Sequence, residues 1–335
     1  MLPETFACYL VSKDDRGAVA GRIDRRGIDE LPDGDTLIRV VWSSLNYKDA
    51  LAVKGHPGVN KVFPHIPGVD AAGTVVQSDS GELVAGDPVI VTGFDMGSNR
   101  WGGYAEYVRV PRAWVVPLPA GLSLRESMML GTAGFTAGLC VDALIKYDVA
   151  PGRGNVVVTG ASGGVGSMAV AILSKLGYRV VAVTGKDAAH PYLRSLGAAE
   201  IIGRKALDDG SGRPLLSSRW AGGVDTVGGS MLASLLRATG RGGCVAACGM
   251  AGGVELPVTV YPFILRGVVL AGIDAAWGPL PLRHETWSRL AGPWKPDRLE
   301  EMSDFIDLGD LPAKVDEILA GRITGRVVVR IQGES

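Results

Sequence analysis

The sequence predicts an α/β protein in which a doubly wound parallel sheet is combined with a β-rich domain. Between residues 156 and 273, short apolar strands alternate with helical segments, which is the pattern of a parallel sheet covered on both faces. Residues 1–125 instead contain short strands separated by Gly and Pro turns. After a helix around 312–320, residues 325–331 form a strand that no helix follows. We therefore expect this last strand to return to the β-rich domain.

Between the two regions, the sequence predicts a helix that opens at a capping box. Ser123 is followed three positions later by Glu126, the spacing in which the two side chains cap the same helix N-terminus. The apolar residues that follow continue the helical pattern to about Tyr147. We expect this helix to be broken near Gly134 and Gly138, because glycine is a weak helix former.

Composition limits the kind of protein. The chain has 335 residues, of which 47% are hydrophobic and 21% charged, and its formal net charge is −1. A charge this close to zero argues against non-specific nucleic-acid binding. The sequence starts without a signal-peptide pattern, it has no uninterrupted apolar span of membrane length, and its cysteines are too few for a disulfide framework. These features predict a cytoplasmic protein with no membrane or nucleic-acid partner.

The glycine-rich turn after the first strand of the α/β region predicts a dinucleotide site. In Val-Val-Val-Thr-Gly-Ala-Ser-Gly-Gly-Val-Gly, Ala161, Gly163 and Gly166 stand at the three fingerprint positions. Gly163 lets the backbone approach a pyrophosphate, and Gly166 allows close packing of helix on strand. The helix that follows, expected to run to residue 176, offers its N-terminal N–H groups to the phosphates. The predicted contacts of a Rossmann site are Ser162, Gly163, Gly164 and Val165.

The end of the second strand predicts which dinucleotide binds. NAD-binding proteins place a carboxylate there for the ribose 2′-hydroxyl. This chain has Thr184, Gly185 and Lys186 instead. A hydroxyl and a cation suit a 2′-phosphate, so the prediction is NADPH.

A second interpretation of the same turn is a hydrolase. Gly160 to Gly164 also fits the Gly-x-Ser-x-Gly nucleophile elbow, with Asp225 and His284 following in triad order. Neither Gly166 nor the cation at Lys186 has a role in such an enzyme. We therefore favour the dinucleotide site, with Ser162 as a phosphate-contacting hydroxyl.

Short strings spread over the chain carry a family resemblance. They are Ser-Ser-Leu-Asn-Tyr-Lys-Asp at 43–49, Ile-Pro-Gly-Val-Asp-Ala-Ala-Gly-Thr-Val at 66–75, Trp-Gly-Gly-Tyr-Ala-Glu at 101–106, Gly-Thr-Ala-Gly-Phe-Thr-Ala at 131–137 and Gly-Gly-Cys-Val-Ala-Ala-Cys-Gly at 242–249. Together they resemble the acryloyl-CoA reductase and quinone oxidoreductase branch of the medium-chain dehydrogenase/reductase superfamily. The resemblance implies a GroES-like catalytic domain over 1–125, a Rossmann NADPH-binding domain over 126–272 and a return to the catalytic domain over 273–335.

The zinc alcohol dehydrogenases of this superfamily differ at one informative position. Those enzymes need a ligand histidine in Pro-Gly-His-Glu, whereas residues 67–70 here are Pro-Gly-Val-Asp. The four-Cys structural lobe is also missing between Gly81 and Trp101. We expect a site without metal, and a substrate whose double bond is already activated, such as an enoyl thioester or a quinone.

The resemblance also implies which side chains act. It places Asn46 and Tyr47 beside the nicotinamide. Tyr47 then either donates a proton to the developing enolate or packs against the cofactor. Asn46 either orients the substrate or caps a helix that starts at Tyr47. Further contacts with NADPH are implied for Arg204, Leu270 and Arg326, and the alternative for Arg204 is a solvated loop cation.

The function that the resemblance implies is reduction of acryloyl-CoA to propanoyl-CoA by NADPH, with hydride added to the β-carbon and no metal. One alternative is an NADPH:quinone oxidoreductase. Another, of a different class, is a non-catalytic NADPH-binding protein that acts in nucleic-acid binding or as a structural protein. A homodimer is expected, because relatives pair through the last strand of the nucleotide sheet, near residues 268–273.

Overall fold

The structure is a computed structural model that describes residues 2–333. Within these residues the strands form three sheets. Residues 1, 334 and 335, which belong to the predicted domain ranges, lie outside the described residues. The predicted boundaries between the domains stay predictions. The strands, numbered in chain order, are β1 (Thr5–Lys13), β2 (Val19–Gly27), β3 (Thr36–Leu45), β4 (Asp70–Ser78), β5 (Pro88–Thr92), β6 (Tyr107–Val110), β7 (Val115–Pro117), β8 (Asn155–Val158), β9 (Arg179–Thr184), β10 (Glu200–Gly203), β11 (Trp220–Asp225), β12 (Thr239–Ala247), β13 (Val269–Gly272), β14 (Ser303–Asp307) and β15 (Arg326–Arg330).

The helices surround or connect these sheets. They are α1 (Tyr47–Val53), α2 (Leu124–Lys146), α3 (Gly164–Lys175), α4 (His190–Ser195), α5 (Arg204–Leu207), α6 (Gly229–Ala238), α7 (Tyr261–Arg266), α8 (Leu280–Ala291) and α9 (Leu311–Leu319). The chain divides into two units. The β-rich unit contains the residues up to Thr132, Ala276–Ala291 and the residues from Leu299 onward; the α/β unit contains Ala133–Ala275 and Gly292–Arg298.

The β-rich unit is built on a seven-stranded sheet with the order β14-β15-β3-β4-β5-β7, in which β6 also pairs with β3. The last strand, β15, lies antiparallel to β3, with Val327 opposite Leu45. This confirms that the C-terminal strand returns to the β-rich region. The core below the sheet is apolar and includes Phe6, Leu10, Leu45, Ile66 and Val327.

The α/β unit contains a six-stranded parallel sheet with the order β10-β9-β8-β11-β12-β13. Its central strands are buried on both faces, as the Val-rich sequences of β8 and β9 require. The helix after the glycine turn, α3, ends at Lys175, where Gly177 follows with φ 84°. The predicted doubly wound parallel sheet is confirmed.

Helix α2 is capped as predicted but broken at a different glycine. The Ser123 N–H and hydroxyl both donate to the Glu126 carboxylate, and the Glu126 N–H donates to the Ser123 hydroxyl. The break lies at Gly131, with φ 53° and ψ −158°, so the prediction of breaks near Gly134 and Gly138 is wrong. Helical hydrogen bonding continues through both of those glycines, because the helical turns on either side of them are intact.

Helix α2 is also long and apolar enough to cross a membrane by length and composition, but most of it is buried inside the protein. The interruption at Gly131 lies within this segment. Burial against protein explains its apolar sequence, so α2 is a core helix.

Candidate functional site

One edge of the seven-stranded sheet gathers the polar residues of the β-rich unit. Strand β3 ends there at Leu45, and β4 begins there at Asp70. Asp70 lies opposite Thr92, the last residue of β5, and β15 begins at the same edge with Arg326. Antiparallel pairing therefore brings chain segments that are far apart in sequence to one place.

Tyr47 is the first residue of helix α1 at this edge, and its side chain is 50% exposed. Asn46 occupies the N-cap position predicted for it, and its backbone N–H donates to Asp49 Oδ2 at 2.8 Å. This contact fixes the start of α1. Tyr47 is therefore carried on a fixed backbone, and its side chain is partly exposed to solvent.

The side-chain amide of Asn46 belongs to a buried polar network. Its Nδ2 donates to Asp70 Oδ2 at 2.8 Å, and its Oδ1 accepts a hydrogen bond from Arg326 Nη1 at 3.1 Å. Asp70 also accepts from the Thr132 hydroxyl at 2.6 Å and from the Ser44 hydroxyl at 2.5 Å. The amide of Asn46 is thus held at both ends, and it orients the chain just before Tyr47.

Arg326 provides the positive charge of this network. Its guanidinium is only 3% exposed; it donates to Ser44 Oγ at 2.7 Å and to the Met129 carbonyl at 3.1 Å. Its Nη2 lies 4.0 Å from Asp70 Oδ2. In the described structure Arg326 therefore supports the polar network of the β-rich unit. The contact with NADPH implied for it stays a prediction.

A second carboxylate, Asp49, is fully buried beside the first. It accepts the Asn46 N–H and the Val69 N–H, the latter at 2.8 Å. Burial raises the pKa of Asp49 from 3.8 to about 7, and the nearby Asp70 adds to the rise. Two carboxylates and one guanidinium lie in this buried region. Protonation of one carboxylate would therefore leave the three groups with no net charge.

In the α/β unit, the glycine turn leads directly into the N-terminus of α3. Gly163 is the N-cap of α3, and Gly164 and Val165 open the helix. A Cβ on Gly166 would lie 2.3 Å from the Gly160 carbonyl oxygen, so only glycine permits this close helix–strand packing. The N-terminus of α3 thus presents the donors predicted from the fingerprint.

Two hydroxyls lie together at the side of this turn. Ser162 Oγ is 3.2 Å from Thr184 Oγ1, and both residues are buried. The Lys186 N–H donates to Thr184 Oγ1 at 3.1 Å. The turn and the end of β9 are therefore joined into one polar surface.

Two cations adjoin the same surface. A Cβ on Gly185 would lie 2.8 Å from Arg204 Nε, so the Arg204 side chain lies across Gly185. Partial burial lowers the pKa of Lys186, and the nearby charge of Arg204 lowers it further. The structure brings together Ser162 of the glycine turn, the segment Thr184, Gly185 and Lys186, and Arg204. A dianionic phosphate is the ligand that two neighbouring cations and two hydroxyls suit.

Asp225 has a structural role that the hydrolase interpretation does not include. Its carboxylate accepts from the Thr159 hydroxyl at 2.6 Å and from the Gly228 N–H at 2.7 Å. These bonds tie the end of β11 to the turn after β8. The Ser162 hydroxyl pairs with Thr184, and His284 lies in the β-rich unit. The geometry favours the dinucleotide interpretation.

Leu270 lies on β13, the edge strand of the six-stranded sheet, opposite Val245. It is half-buried and packs against the apolar cluster of the α/β unit. The cofactor contact implied for Leu270 stays a prediction. Within residues 2–333, no group of three or more His, Cys, Asp or Glu side chains could hold a metal ion.

Comparison with known proteins supports this architecture. Residues 32–120 match the alcohol dehydrogenase GroES-like domain, and residues 164–288 match the zinc-binding dehydrogenase family. This pair of domains is the architecture of medium-chain dehydrogenases/reductases.

Several relatives resemble almost the whole chain. The acrylyl-CoA reductase AcuI of Ruegeria pomeroyi is 46% identical over 97% of this chain and 99% of its own length. The yhdH oxidoreductase of Salmonella enterica, crystallised with NADP, is 47% identical and covers 97% of this chain and 100% of its own, with a TM-score of 0.95. Bacillus subtilis yhfP, crystallised with NAD, is 45% identical over 98% of this chain and 100% of its own, also with a TM-score of 0.95. The chain belongs to the medium-chain dehydrogenase/reductase superfamily, in the branch that contains these proteins, which confirms the resemblance and the fold class predicted from the sequence.

Proposed function

We propose that this protein is an NADPH-dependent enoyl-CoA reductase that converts acryloyl-CoA into propanoyl-CoA. The observation that carries the proposal is the cluster of Thr184, Lys186 and Arg204 beside the glycine turn. It occurs in a chain 46% identical to an acrylyl-CoA reductase over 97% of its length. The reaction adds one hydride and one proton across the double bond of the thioester.

The residues of the α/β unit fit the phosphorylated cofactor. Gly163, Gly164 and Val165 would hold the pyrophosphate at the start of α3. Lys186 and Arg204, with the hydroxyls of Ser162 and Thr184, would hold the 2′-phosphate. When bound, NADPH supplies the hydride. Lys186 is a point charge and not a planar fork, so its grip on the phosphate is electrostatic more than directional.

Tyr47 is the group that we assign to the chemistry. Adding hydride to the β-carbon of an enoyl thioester moves negative charge onto the thioester oxygen, and a hydrogen-bond donor placed there lowers the barrier. Tyr47 is half-exposed, and its backbone is fixed by Asn46 and Asp49. Asn46 would act as a positioning residue, because its own amide is held by Asp70 and Arg326. Tyr47 would also contact the cofactor.

A substrate comparison tests the proposal. Purified protein is assayed by loss of NADPH absorbance with acryloyl-CoA and with a small benzoquinone at matched concentrations, and each assay is repeated with NADH. We expect a higher kcat/KM for acryloyl-CoA and a preference for NADPH. A higher value for the benzoquinone would establish the NADPH:quinone oxidoreductase alternative. Turnover of neither substrate, with NADPH still bound, would favour a non-catalytic protein.

The assembly that we propose is a homodimer formed at the β13 edge of the six-stranded sheet. Support comes from exposed apolar residues in the neighbouring segment and in α7, namely Met250, Val254, Val260, Ile264 and Leu265. Exposed apolar side chains concentrated in one part of the chain are typical of an interaction site. Ile264→Glu should shift the sedimentation coefficient to that of a monomer, whereas Val62→Glu, at an exposed apolar residue of the β-rich unit, should not.

We also propose that the protein acts in the cytoplasm on a small-molecule substrate. The four cysteines are free, which suits a reducing compartment. A net charge of −1 gives no general attraction to nucleic acid or to an anionic membrane surface.

A further inference from the structure

A half-exposed tryptophan of the β-rich unit is held by a fully buried arginine. Trp277 is 57% exposed, whereas Arg283 on α8 is 0% exposed. Arg283 Nη2 donates to the Ala276 carbonyl at 2.6 Å, and its Nε donates to the Gly278 carbonyl at 2.9 Å. The two residues that flank Trp277 are therefore fixed by one guanidinium. The backbone of Trp277 is therefore held in one conformation although its side chain is exposed.

An aromatic stack supports the indole from the side. The Phe94 ring meets Trp277 edge to face, with centroids 5.8 Å apart and an interplanar angle of 90°. Phe94 is itself stacked parallel to Trp114 at 5.0 Å, and the Arg283 guanidinium lies 4.1 Å from its centroid. The Phe94 N–H donates to the Ala276 carbonyl at 2.9 Å. These contacts hold the indole plane of Trp277 in a defined orientation.

This platform lies at the same edge of the sheet as Tyr47. Arg283 Nη1 donates to the carbonyl of Thr92, the last residue of β5, which pairs with Asp70. The Gly93 N–H donates to the Val69 carbonyl at 2.8 Å, and the Val69 N–H donates to Asp49 at 2.8 Å. Asp49 in turn holds the start of α1. A continuous set of hydrogen bonds thus connects the platform with the backbone that carries Tyr47.

We propose that Trp277 is the stacking platform for the adenine ring of the coenzyme A part of the substrate. This inference rests on the proposed function and names how that substrate is recognised. Coenzyme A carries one flat aromatic ring, far from the thioester, and purines stack on exposed indoles whatever their edge pattern. Arg100 lies 5.6 Å from the centroid of Trp114, so the same aromatic cluster also carries a cation suited to the phosphates beside that adenine.

Removal of the indole tests the proposal. Trp277→Ala should raise the KM for acryloyl-CoA about tenfold, because a stacked base loses its partner, with little change in kcat. The KM for acryloyl-pantetheine, which lacks adenine, should stay within about twofold, and Trp277→Phe should restore most of the affinity for acryloyl-CoA. Tyr147→Ala, which removes a 41% exposed aromatic side chain from the α/β unit, is the matched control and should change neither KM.

The outcomes separate this inference from the proposed function. An equal rise of KM for both thioesters would overturn the adenine platform, because the contact would then be made with the pantetheine or acyl part. Unchanged kinetics together with an altered sedimentation coefficient would also overturn it and assign Trp277 to an interface between copies. If the wild-type protein reduced neither thioester, the proposed function would fail. Calorimetric titration with free coenzyme A would then still test whether Trp277 binds the adenine ring, since Trp277→Ala must weaken that binding.

Discussion

The side-chain amide of Asn46 donates a hydrogen bond to Asp70 Oδ2 at 2.8 Å, and so joins the end of β3 to the start of β4. Asp70 stands where the zinc dehydrogenases of the superfamily have the glutamate of Pro-Gly-His-Glu, and Val69 stands where they have the histidine. In this chain Asp70 belongs to a hydrogen-bond network that runs through Asn46 to Arg326. The network fixes the backbone immediately before Tyr47.

Tyr47→Phe should lower kcat with acryloyl-CoA by about a hundredfold, the usual effect of removing a positioned proton donor. The KM for NADPH should stay within a few-fold, because the variant retains the aromatic ring that we propose to contact the cofactor. Steady-state kinetics with both substrates varied provide the measurement. Tyr147→Phe removes the hydroxyl of another exposed tyrosine, in the α/β unit, and is the control. An unchanged kcat would remove the Tyr47 hydroxyl from the chemical step.

Lys186→Ala should raise the KM for NADPH about tenfold or more, since it removes a charged partner of the 2′-phosphate. The KM for NADH, which has no 2′-phosphate, should change by about twofold or less. Lys205→Ala, one residue after Arg204 on α5, removes an exposed lysine near the same surface and should leave both constants unchanged. Equal effects of Lys186→Ala on the two cofactors would show that Lys186 does not recognise the phosphate.

Stability should depend on pH through Asp49. Its pKa is raised from 3.8 to about 7 in the folded protein, so between these values the folded state holds a proton that the unfolded state has lost. The stabilisation that Asp49 contributes is complete below about pH 4 and is lost as the pH rises through about 7. Relative to Asp49→Asn, the wild-type free energy of unfolding should therefore fall over this range.

Urea denaturation at several pH values measures this difference. Asp24→Asn is the contrasting variant, because the Arg25 N–H lowers the pKa of Asp24 and its contribution is lost as the pH falls. The two variants should therefore give slopes of opposite sign against the wild type. Parallel curves for wild type and Asp49→Asn would contradict a raised pKa of Asp49.

Gly131→Ala should destabilise the protein by about 3 kcal/mol, because two costs add. The φ of Gly131 is 53°, and a Cβ there would lie 2.6 Å from Asp70 Oδ2. Gly81→Ala isolates the backbone cost, since Gly81 has φ 71° and a Cβ would meet no atom within 4 Å; about 1 kcal/mol is expected. The difference between the two variants in urea denaturation measures the collision with the Asp70 network. Equal losses would mean that the network moves aside freely.

The sequence was most informative where local pattern and tertiary structure agree. The apolar runs of β8 and β9, the fingerprint glycines and the Ser123 capping box all predicted what the structure contains. The break in α2 was misplaced because Gly134 and Gly138 resemble Gly131 in sequence. What distinguishes Gly131 is its position against Asp70, a contact between residues far apart in the chain. The sequence of β2 does not show the alternation of a strand, because Arg22, Asp24, Arg25 and Arg26 place charges at successive positions of both parities.

The candidate site was predicted only in part. Asn46 and Tyr47 came from one motif of a family resemblance and Arg326 from another, with no contact predicted between them. That Arg326 holds Asn46 across 280 positions of sequence follows from the pairing of β15 with β3, which no local pattern specifies. Asp49 and Asp70 were not predicted as functional residues. The available signals were that Asp49 lies two positions after Tyr47 and that Asp70 ends the Pro-Gly-Val-Asp segment. Trp277 gave no signal, because a single exposed aromatic residue has no pattern around it.

The pairing of β15 with β3 also orders events during synthesis. The α/β sheet lies within residues 133–275, so all of its strands are available while the ribosome is still translating the rest. The β-rich sheet cannot close until the nascent chain has emerged past residue 330. Until then Asn46 and Asp70 lack the guanidinium of Arg326 that lies beside them, and a prematurely terminated polypeptide would contain a complete nucleotide fold without a competent reductase.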